Sequence, residues 1–530
     1  MIRDFGPGVT RPSQGSALLS LGLLIAQSMS GAGADPRPAP ERANEAEKVS
    51  AVKPAFPDPS EVAAAMKKAA TFYRRDLAFA GGYAWKWSEG RGTARTEGRE
   101  SPSVIGMQPP GTPSVGLVMV KAFRATGDPL YLQAAREAAG VLMWCQLSSG
   151  GWDSDFDFDP RFARKYHFRR DLDAGEVDRG GRRSDSTLDD QKTQSALLFI
   201  LELAHVPECS NDGILKGALR FGMDGLLAAQ APNGGWGQHY DGPADASAPV
   251  CRARMPDDWP RIWPGVDYTR FYTLNDDNIL WVIDLLLRAH ELEKDPRFLD
   301  AAKRAGDFLL LARFDEPQPV WAQQYNRDME PVWARKFEPT AVCSVESIGA
   351  LKALIELWLA TGDEKYIAPH PAAFAWFERS KLPDGQWARF YELKTNRPIY
   401  CRRDSYELTY DDSDLPTHYG FKVGDLSREI ERLKKEMASG REEILRRRAL
   451  PADPKKWASR AKGQVAKVTA ALEAAGDRGY WLKDGWIDAA EFVRHMQAMI
   501  TYVEAAKRGG EAFEAMRAKA AIATGQEKTR

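Results

Sequence analysis

The chain has 530 residues, with 73 basic and 74 acidic side chains, a formal net charge of −1 and 43% hydrophobic residues. This balance excludes a wholly disordered chain, a polytopic membrane protein and a basic nucleic-acid coat. Overall charge steers nothing, so a site for a charged ligand has to be built locally. The 16 Trp, 16 Tyr and 22 Phe point to large aromatic surfaces, in a core or along a sugar-binding groove.

Arg3 and Arg11 precede the apolar run Ala17 to Ala26, and small residues lead to Ala34 before Asp35. This is the pattern of a signal peptide over residues 1–34. The run is shorter than the roughly 20 residues of a membrane span, so a secreted or periplasmic protein without a membrane anchor after cleavage is expected. Residues 35–59 are Pro/Ala/Glu-rich and read as a linker. Cys145, Cys209, Cys251, Cys343 and Cys401 lie far apart with no Cys-x-x-Cys spacing, which disfavours a thiolate zinc site. Export would allow one or two disulfides, and buried free thiols fit as well.

Helical patterning begins near Ser60, a residue suited to an N-cap. From there Ala/Leu-rich helices lead into loops bearing Gly and an aromatic: Gly81-Gly82-Tyr83, Gly150-Gly151-Trp152, Gly234-Gly235-Trp236 and Gly385-Gln386-Trp387, with Val320-Trp321 as a degenerate copy. A second kind of connector, Gly127-Asp128-Pro129, Lys294-Asp295-Pro296 and Gly362-Asp363, suits the end of one helix and the start of the next. The Gly-Trp spacing is uneven and longer than the about 30–45 residues of common helical solenoids. It predicts an all-α ring of helical hairpins, an α/α toroid, over residues 60–423, with the long loops on one face. Residues 424–530 are predicted to form a helical extension packed on the ring, including a charged stretch from Glu429 to Arg448 and an amphipathic helix from Trp481 to Lys507.

Four constellations carry possible chemistry. The alternating acids Asp153, Asp155, Asp157 and Asp159 follow a turn, and a solvated acidic strand explains them as readily as a functional site. Asp189-Asp190 and Asp276-Asp277 each open an apolar helix. Capping accounts for one Asp per helix start but less readily for adjacent pairs. Two such sites predict an oxygen-ligand site for a hard cation, and Ca²⁺ takes about 6–8 oxygens. The fourth set is cationic and interleaved with aromatics: Arg335 and Lys336, then Trp387, Arg389, Tyr391, Arg397 and Arg403. Such a set suits an anionic ligand with flat faces. Together, acids for a cation and a cluster of Arg predict a polyuronate substrate and a β-elimination, in which a neutralised C6 carboxylate makes the C5 proton acidic.

These motifs are joined by Ala229-Gln230-Ala231-Pro232-Asn233-Gly234-Gly235-Trp236, Thr273-Leu274-Asn275-Asp276-Asp277, Trp333 to Pro339, Ser344-Val345-Glu346-Ser347 and Trp387 to Pro398. In this order, over residues 60 to 420, they resemble the family 10 polysaccharide lyases that act on pectate. The resemblance implies an α/α toroid that cleaves polygalacturonate by Ca²⁺-assisted anti-elimination to 4,5-unsaturated oligogalacturonides. It implies Arg335 as base, with Lys336 as its rival, and Arg389 and Arg403 as clamps on substrate carboxylates. Asp189, Asp190, Asp276 and Asp277 are the implied cation and substrate ligands; Arg397, Trp236 and Tyr391 complete the expected substrate contacts. The chain departs from the family at Gly237, where Pro is usual, at Gln191, where an acid is common, and in a Pro/Trp/Arg-rich loop from Asp241 to Pro264 that looks inserted.

Other readings use the same features. Gln146-x-x-x-Gly150-x-Trp152 and Gln230-x-x-x-Gly234-x-Trp236 fit the Gln-Trp repeat of triterpene cyclases, but the Arg set has no role in an apolar cavity. A glycoside hydrolase on a similar ring would use two carboxylates about 5–10 Å apart. A non-catalytic polyuronate-binding protein would keep the ligands without the chemistry.

Overall fold

The computed structural model describes residues 56–424 and 426–527. The expected signal peptide and residues 35–55 of the expected linker lie outside these. The described chain is dominated by helices. Those that position the site are α1 (Pro59–Phe72), α2 (Thr112–Thr126), α3 (Pro129–Cys145), α4 (Lys192–Ala204), α5 (Gly213–Ala228), α6 (Asn278–Glu293), α7 (Pro296–Ala312), α8 (Ser344–Thr361) and α9 (His370–Arg379). After them come α10 (Ser427–Ser439), α11 (Arg441–Arg448), α12 (Pro454–Lys462), α13 (Val465–Ala475) and α14 (Ala489–Glu527), the last broken at Gly510.

The fold is an α/α toroid. Helices α2, α4, α6 and α8 pack side by side as an inner layer, with α3, α5 and α7 outside them. The inner helices are apolar nearly all round, as expected for helices enclosed on several sides: α8 buries residues as varied as Ser344, Ile348, Leu351 and Leu354. The second kind of connector works as its residues predict. Gly127 and Gly362 end their helices with φ of 76°, and Asp128 and Asp295 cap the next helices by accepting from Leu130 N and Arg297 N. The first cap differs from expectation. Asp58, rather than Ser60, caps α1, accepting from Ser60 N at 2.8 Å with Pro59 in the first turn.

The Gly-Trp loops anchor each outer helix. The indole N–H of Trp152 donates to Leu142 O, that of Trp236 to Leu226 O and that of Trp387 to Phe377 O, each at 2.8–2.9 Å and each reaching back into the helix that precedes it. Trp321 does the same to Leu309 O, so the degenerate copy keeps the device. Gln146 and Gln230 each donate to the loop's own glycine carbonyl and to the neighbouring outer helix, at Ala218 O and Ala301 O. Gly234, at φ 94°, comes so close to α7 that a Cβ there would lie 2.0 Å from Arg304 O.

After each loop a short strand pairs with the strand that leads into the preceding repeat's inner helix. Asp155–Asp157 pairs with Val104–Gly106, His239–Tyr240 with Ser186–Thr187, Gln324–Tyr325 with Tyr272–Thr273, and Phe390–Tyr391 with Val342–Cys343. All pairs are antiparallel. The tail repeats the pattern. The Trp481 indole N–H donates to Ala471 O in α13, and Trp486–Asp488 pairs with Lys86–Ser88 of the first repeat. Helix α14 then lies against α2 and α1, and the Tyr502 hydroxyl donates to Pro57 O. The segment read from sequence as an extension therefore contributes strand and helix to the ring itself. Its last helix starts at Ala489 rather than Trp481, because residues 482–488 form the closing hairpin. All five cysteines are free thiols, and all but Cys251 are buried.

Candidate active site

The ends of the strands and the first turns of the inner helices converge on one mouth of the ring. Two of these connections are near copies. Thr187 Oγ accepts from Asp189 N at 3.1 Å, and Thr273 Oγ accepts from Asn275 N at 3.1 Å. Each turn is followed by two residues in the left-handed region: Asp190 (φ 47°) and Gln191 (φ 64°) before α4, Asp276 (φ 52°) and Asp277 (φ 58°) before α6. Non-glycine residues adopt this conformation at a cost of roughly 1–2 kcal/mol each. Strain of this kind, repeated at equivalent places, collects where function requires it.

The strained turns bring Asp189, Asp190 and Asp276 together. One carboxylate oxygen from each lies within 4.8 Å of the others. Asp277 is not among them. Its carboxylate turns to α8, where a Cβ at Gly349 would sit 1.9 Å from its Oδ1. The expected fourth ligand thus packs against a helix instead, because the left-handed turn sends consecutive side chains in different directions.

The acids share donors. Lys192 Nζ lies 3.2 Å from Asp189 Oδ2 and 3.6 Å from Asp190 Oδ2, with only 3% of its side chain exposed. Gln108, before α2, donates to Asp190 Oδ2 at 3.0 Å, and Asn275 donates to Asp276 Oδ2 at 2.5 Å. Asp189 Oδ1 is buried with no hydrogen-bond partner. Partial desolvation raises the Asp276 carboxyl to about 7, reinforced by Asp190 and Asp189, although 39% of its side chain stays exposed at the mouth. Burial and then Asp189 raise Asp190 as well. For Lys192, burial works to lower the ammonium's pKa, but Asp189, Asp190 and Glu97 outweigh it and hold it above the ordinary value.

Arg335 enters from the loop that follows Gln324–Tyr325. Its Nη2 lies 3.6 Å from Asp276 Oδ2, and its Nε donates to Glu338 Oε2 at 3.0 Å. Glu338 Oε2 also accepts from the Arg335 peptide N–H at 3.1 Å, while Trp333 Nε1 donates to Arg335 O. The motif residues on either side of Arg335 thus hold it. Burial opposes its charge, but Glu338, Asp189 and Asp276 prevail and keep the guanidinium protonated. Arg389 lies deeper, donating from Nε to Gly420 O at 2.9 Å, 3.6 Å from Glu346 and over the Tyr419 ring at 4.8 Å. Glu346 has both carboxylate oxygens buried without a hydrogen bond, and burial, then Asp276, raise its pKa far above the ordinary value.

The remaining expected residues lie elsewhere. Lys336 is exposed, with its ammonium 3.9 Å from the centre of the Tyr406 ring. Arg397 stacks on Tyr410 at 3.6 Å, and Arg403 pairs with Asp414 at 3.0 Å on an exposed loop. Among the described residues no ion pair joins these three to the acidic cluster. Trp236 and Tyr391 are each 1% exposed. Trp236 anchors α5, and the Tyr391 hydroxyl donates to Ser380 O at 2.5 Å, so neither presents a face to a sugar. Both were expected at the groove because aromatics next to Gly loops and Arg look the same in sequence whether they stack on ligand or on the core.

Sequence reasoning missed Lys192, Gln108 and Glu97, whereas the Glu338 that pairs with Arg335 stands in the same motif, residues 333–339. Lys192 lies two residues beyond Asp190, at the start of the helix that the acidic pair opens, and was legible there. Gln108 and Glu97 precede α2, where no adjacent acids open the helix; only the fold brings them in. Glu97, itself exposed, is raised by partial desolvation of its carboxylate, with Asp190 and Asp189 adding to the shift.

Residues 159–386 match the family model described as pectic acid lyase. Over this segment the chain is pectic-acid-lyase-like. The segment holds the acidic cluster and Arg335. Among solved structures, the chain is similar to a family 10 polysaccharide lyase from Cellvibrio cellulosa, at 21% identity and a TM-score of 0.41, covering 60% of this chain and 96% of that one. A mutant of that lyase in complex with trigalacturonic acid is similar at 20% identity and a TM-score of 0.41, covering 60% and 97%. An inactive alpha-1,6-mannanase variant from Salegentibacter, in complex with alpha-1,6-mannotriose, is similar at 11% identity and a TM-score of 0.37, covering 84% and 99%. No curated protein sequence matches. Among the described residues, no helix is long and apolar enough to cross a membrane.

Proposed function

We propose that this protein is an exported pectate lyase that cleaves polygalacturonate by calcium-assisted anti-β-elimination, with Arg335 as the base. The observation that carries this reading is the approach of Arg335 to within 3.6 Å of Asp276, at a cluster shared with Asp189 and Asp190, inside the segment that matches the pectic acid lyase family.

The residues fit a hard cation. Asp189 Oδ1 is a buried carboxylate oxygen without a partner, and Asp190 and Asp276 bring oxygens to the same place. Three carboxylates fall short of the about 6–8 oxygens Ca²⁺ takes, so substrate carboxylates and water complete the set. A bound Ca²⁺ supplies positive charge that stabilises the carbanionic character developing next to the C6 carboxylate.

Arg335 then removes the C5 proton. The C5–H electrons form the C4=C5 double bond, the C4–O bond breaks, and the departing chain's oxygen takes a proton from water. A guanidinium must first lose its own proton. Asp189, Asp276 and Glu338 oppose that in the free protein, so the rate climbs toward alkaline pH. Arg389, held by Gly420 and facing Glu346, neutralises a substrate carboxylate beside the reacting ring.

The test is an assay on polygalacturonate at alkaline pH, with and without Ca²⁺, following the ultraviolet absorbance of the unsaturated product. Wild type should show a chelator-sensitive rise. Arg335→Ala should lose about 10²–10⁴-fold in kcat, the size of a general-base contribution, while keeping its fold. Equal rates would remove Arg335 as the base. Substrate binding without product in the wild type would leave a polyuronate-binding protein.

A further inference from the structure

Lys192 is the first residue of α4, where the helix dipole disfavours a cation. It is also buried, and an ammonium held away from water requires compensation. The compensation is visible: Asp189 Oδ2 at 3.2 Å and Asp190 Oδ2 at 3.6 Å, two of the three acids of the cluster. The turn itself does not require a lysine. The equivalent position, the first of α6, reached through the same pair of left-handed residues, is Asn278, an uncharged and fully buried amide. The charge at residue 192 therefore answers to the acids rather than to the backbone.

We propose that Lys192 is the resident cation of the acidic cluster, holding the place of a divalent ion until substrate carboxylates arrive. The inference rests on reading the cluster as the cation site. Fully ionised, Asp189, Asp190 and Asp276 offer three negative charges, and Lys192 and Arg335 already face them with two positive ones. Glu97, Glu338, Glu346 and Arg389 surround them. A divalent cation entering the free protein meets an ammonium that touches two of its ligands, and like charges at this range repel strongly. Uronate carboxylates add negative charge and oxygen ligands together, which makes cation binding conditional on substrate.

Calcium titration of the free protein by calorimetry, without substrate, tests this. Wild type should show no saturable binding in the range where Lys192→Met binds at least about tenfold more tightly. Adding Asp189→Asn to that variant should abolish the new binding, and Ca²⁺ should raise the melting temperature of Lys192→Met but not of wild type. Lys192→Gln serves the same purpose if the methionine variant folds poorly, and Lys192→Arg should exclude Ca²⁺ as wild type does. Equal Ca²⁺ affinity in wild type and the uncharged variants, or binding in neither, overturns the proposal. These readouts do not involve turnover, so they fail or succeed independently of the lyase assay.

Discussion

Trp236 and Arg335 illustrate how differently neighbouring motif residues are used. Trp236 lies in the core with its indole committed to Leu226 O. Trp236→Ala should cost about 3–5 kcal/mol of stability, as for other large core truncations, and the folded fraction should keep its KM for polyuronate. Thermal melts alongside kinetics would check this, and a raised KM at unchanged stability would return Trp236 to the groove. Arg335 was singled out through the family resemblance, and the structure adds that Trp333 and Glu338 of its own motif hold it in place. The distinction between stacking on sugar and anchoring a helix was not legible, because it depends on which way a loop faces. Asp277 faces away from the cluster for a similar reason: adjacency in sequence reads as a pair, while a left-handed turn separates the two side chains.

Two elements shape the groove. The strained turns before α4 and α6 were legible as adjacent acids at helix starts, but their backbone conformation was not. Gln191, at φ 64° with no capping hydrogen bond from its side chain, is the position where strain can be relieved most simply. Gln191→Gly should stabilise the protein by about 1 kcal/mol, read as a higher melting temperature; a loss of stability would mean that the side chain holds the turn. The loop from Asp241 to Pro264 looked inserted, and its path gives it a role. Arg261 reaches Glu392 at 2.6 Å, and Trp263 donates its indole N–H to Ala334 O, the residue before Arg335. Trp263 keeps 44% of its surface exposed there, placing an aromatic face beside the proposed base. Trp263→Ala should raise KM several-fold while changing kcat less, checked by steady-state kinetics on polygalacturonate.

At the scale of the whole ring, the helical repeat, its Gly-Trp loops and its Asp-Pro connectors were readable because each is a local signal. The tail was not, since Gly479-Tyr480-Trp481 follows a charge-rich stretch that masks the repeat. The inner layer also carries acids away from the mouth. Burial pushes Asp284 on α6 up to about 7, with Glu356 adding to the shift and Arg448 opposing it. Unfolded, this carboxyl titrates near 3.8. Between those values the folded chain binds a proton that the unfolded chain does not, so stability falls as pH rises through the window. Asp284→Asn should therefore melt higher than wild type at about pH 8 and no higher below about pH 4. Equal melting temperatures at both pH values would show that the carboxyl is not held protonated.

The hairpin that ends in Trp486–Asp488 has a consequence for biogenesis. Its partner, Lys86–Ser88, is made almost four hundred residues earlier, and Glu97 and Gln108 lie just beyond that partner. Until the closing hairpin has emerged, the first repeat has an open sheet edge. The wall of the cleft that it supplies is then tethered on one side only. Joining segments so distant in sequence is slow compared with forming local hairpins. The nascent polypeptide should thus assemble the candidate site only after Asp488 has been made, and a product cut short before Trp481 should carry every motif of the cleft yet leave it unassembled.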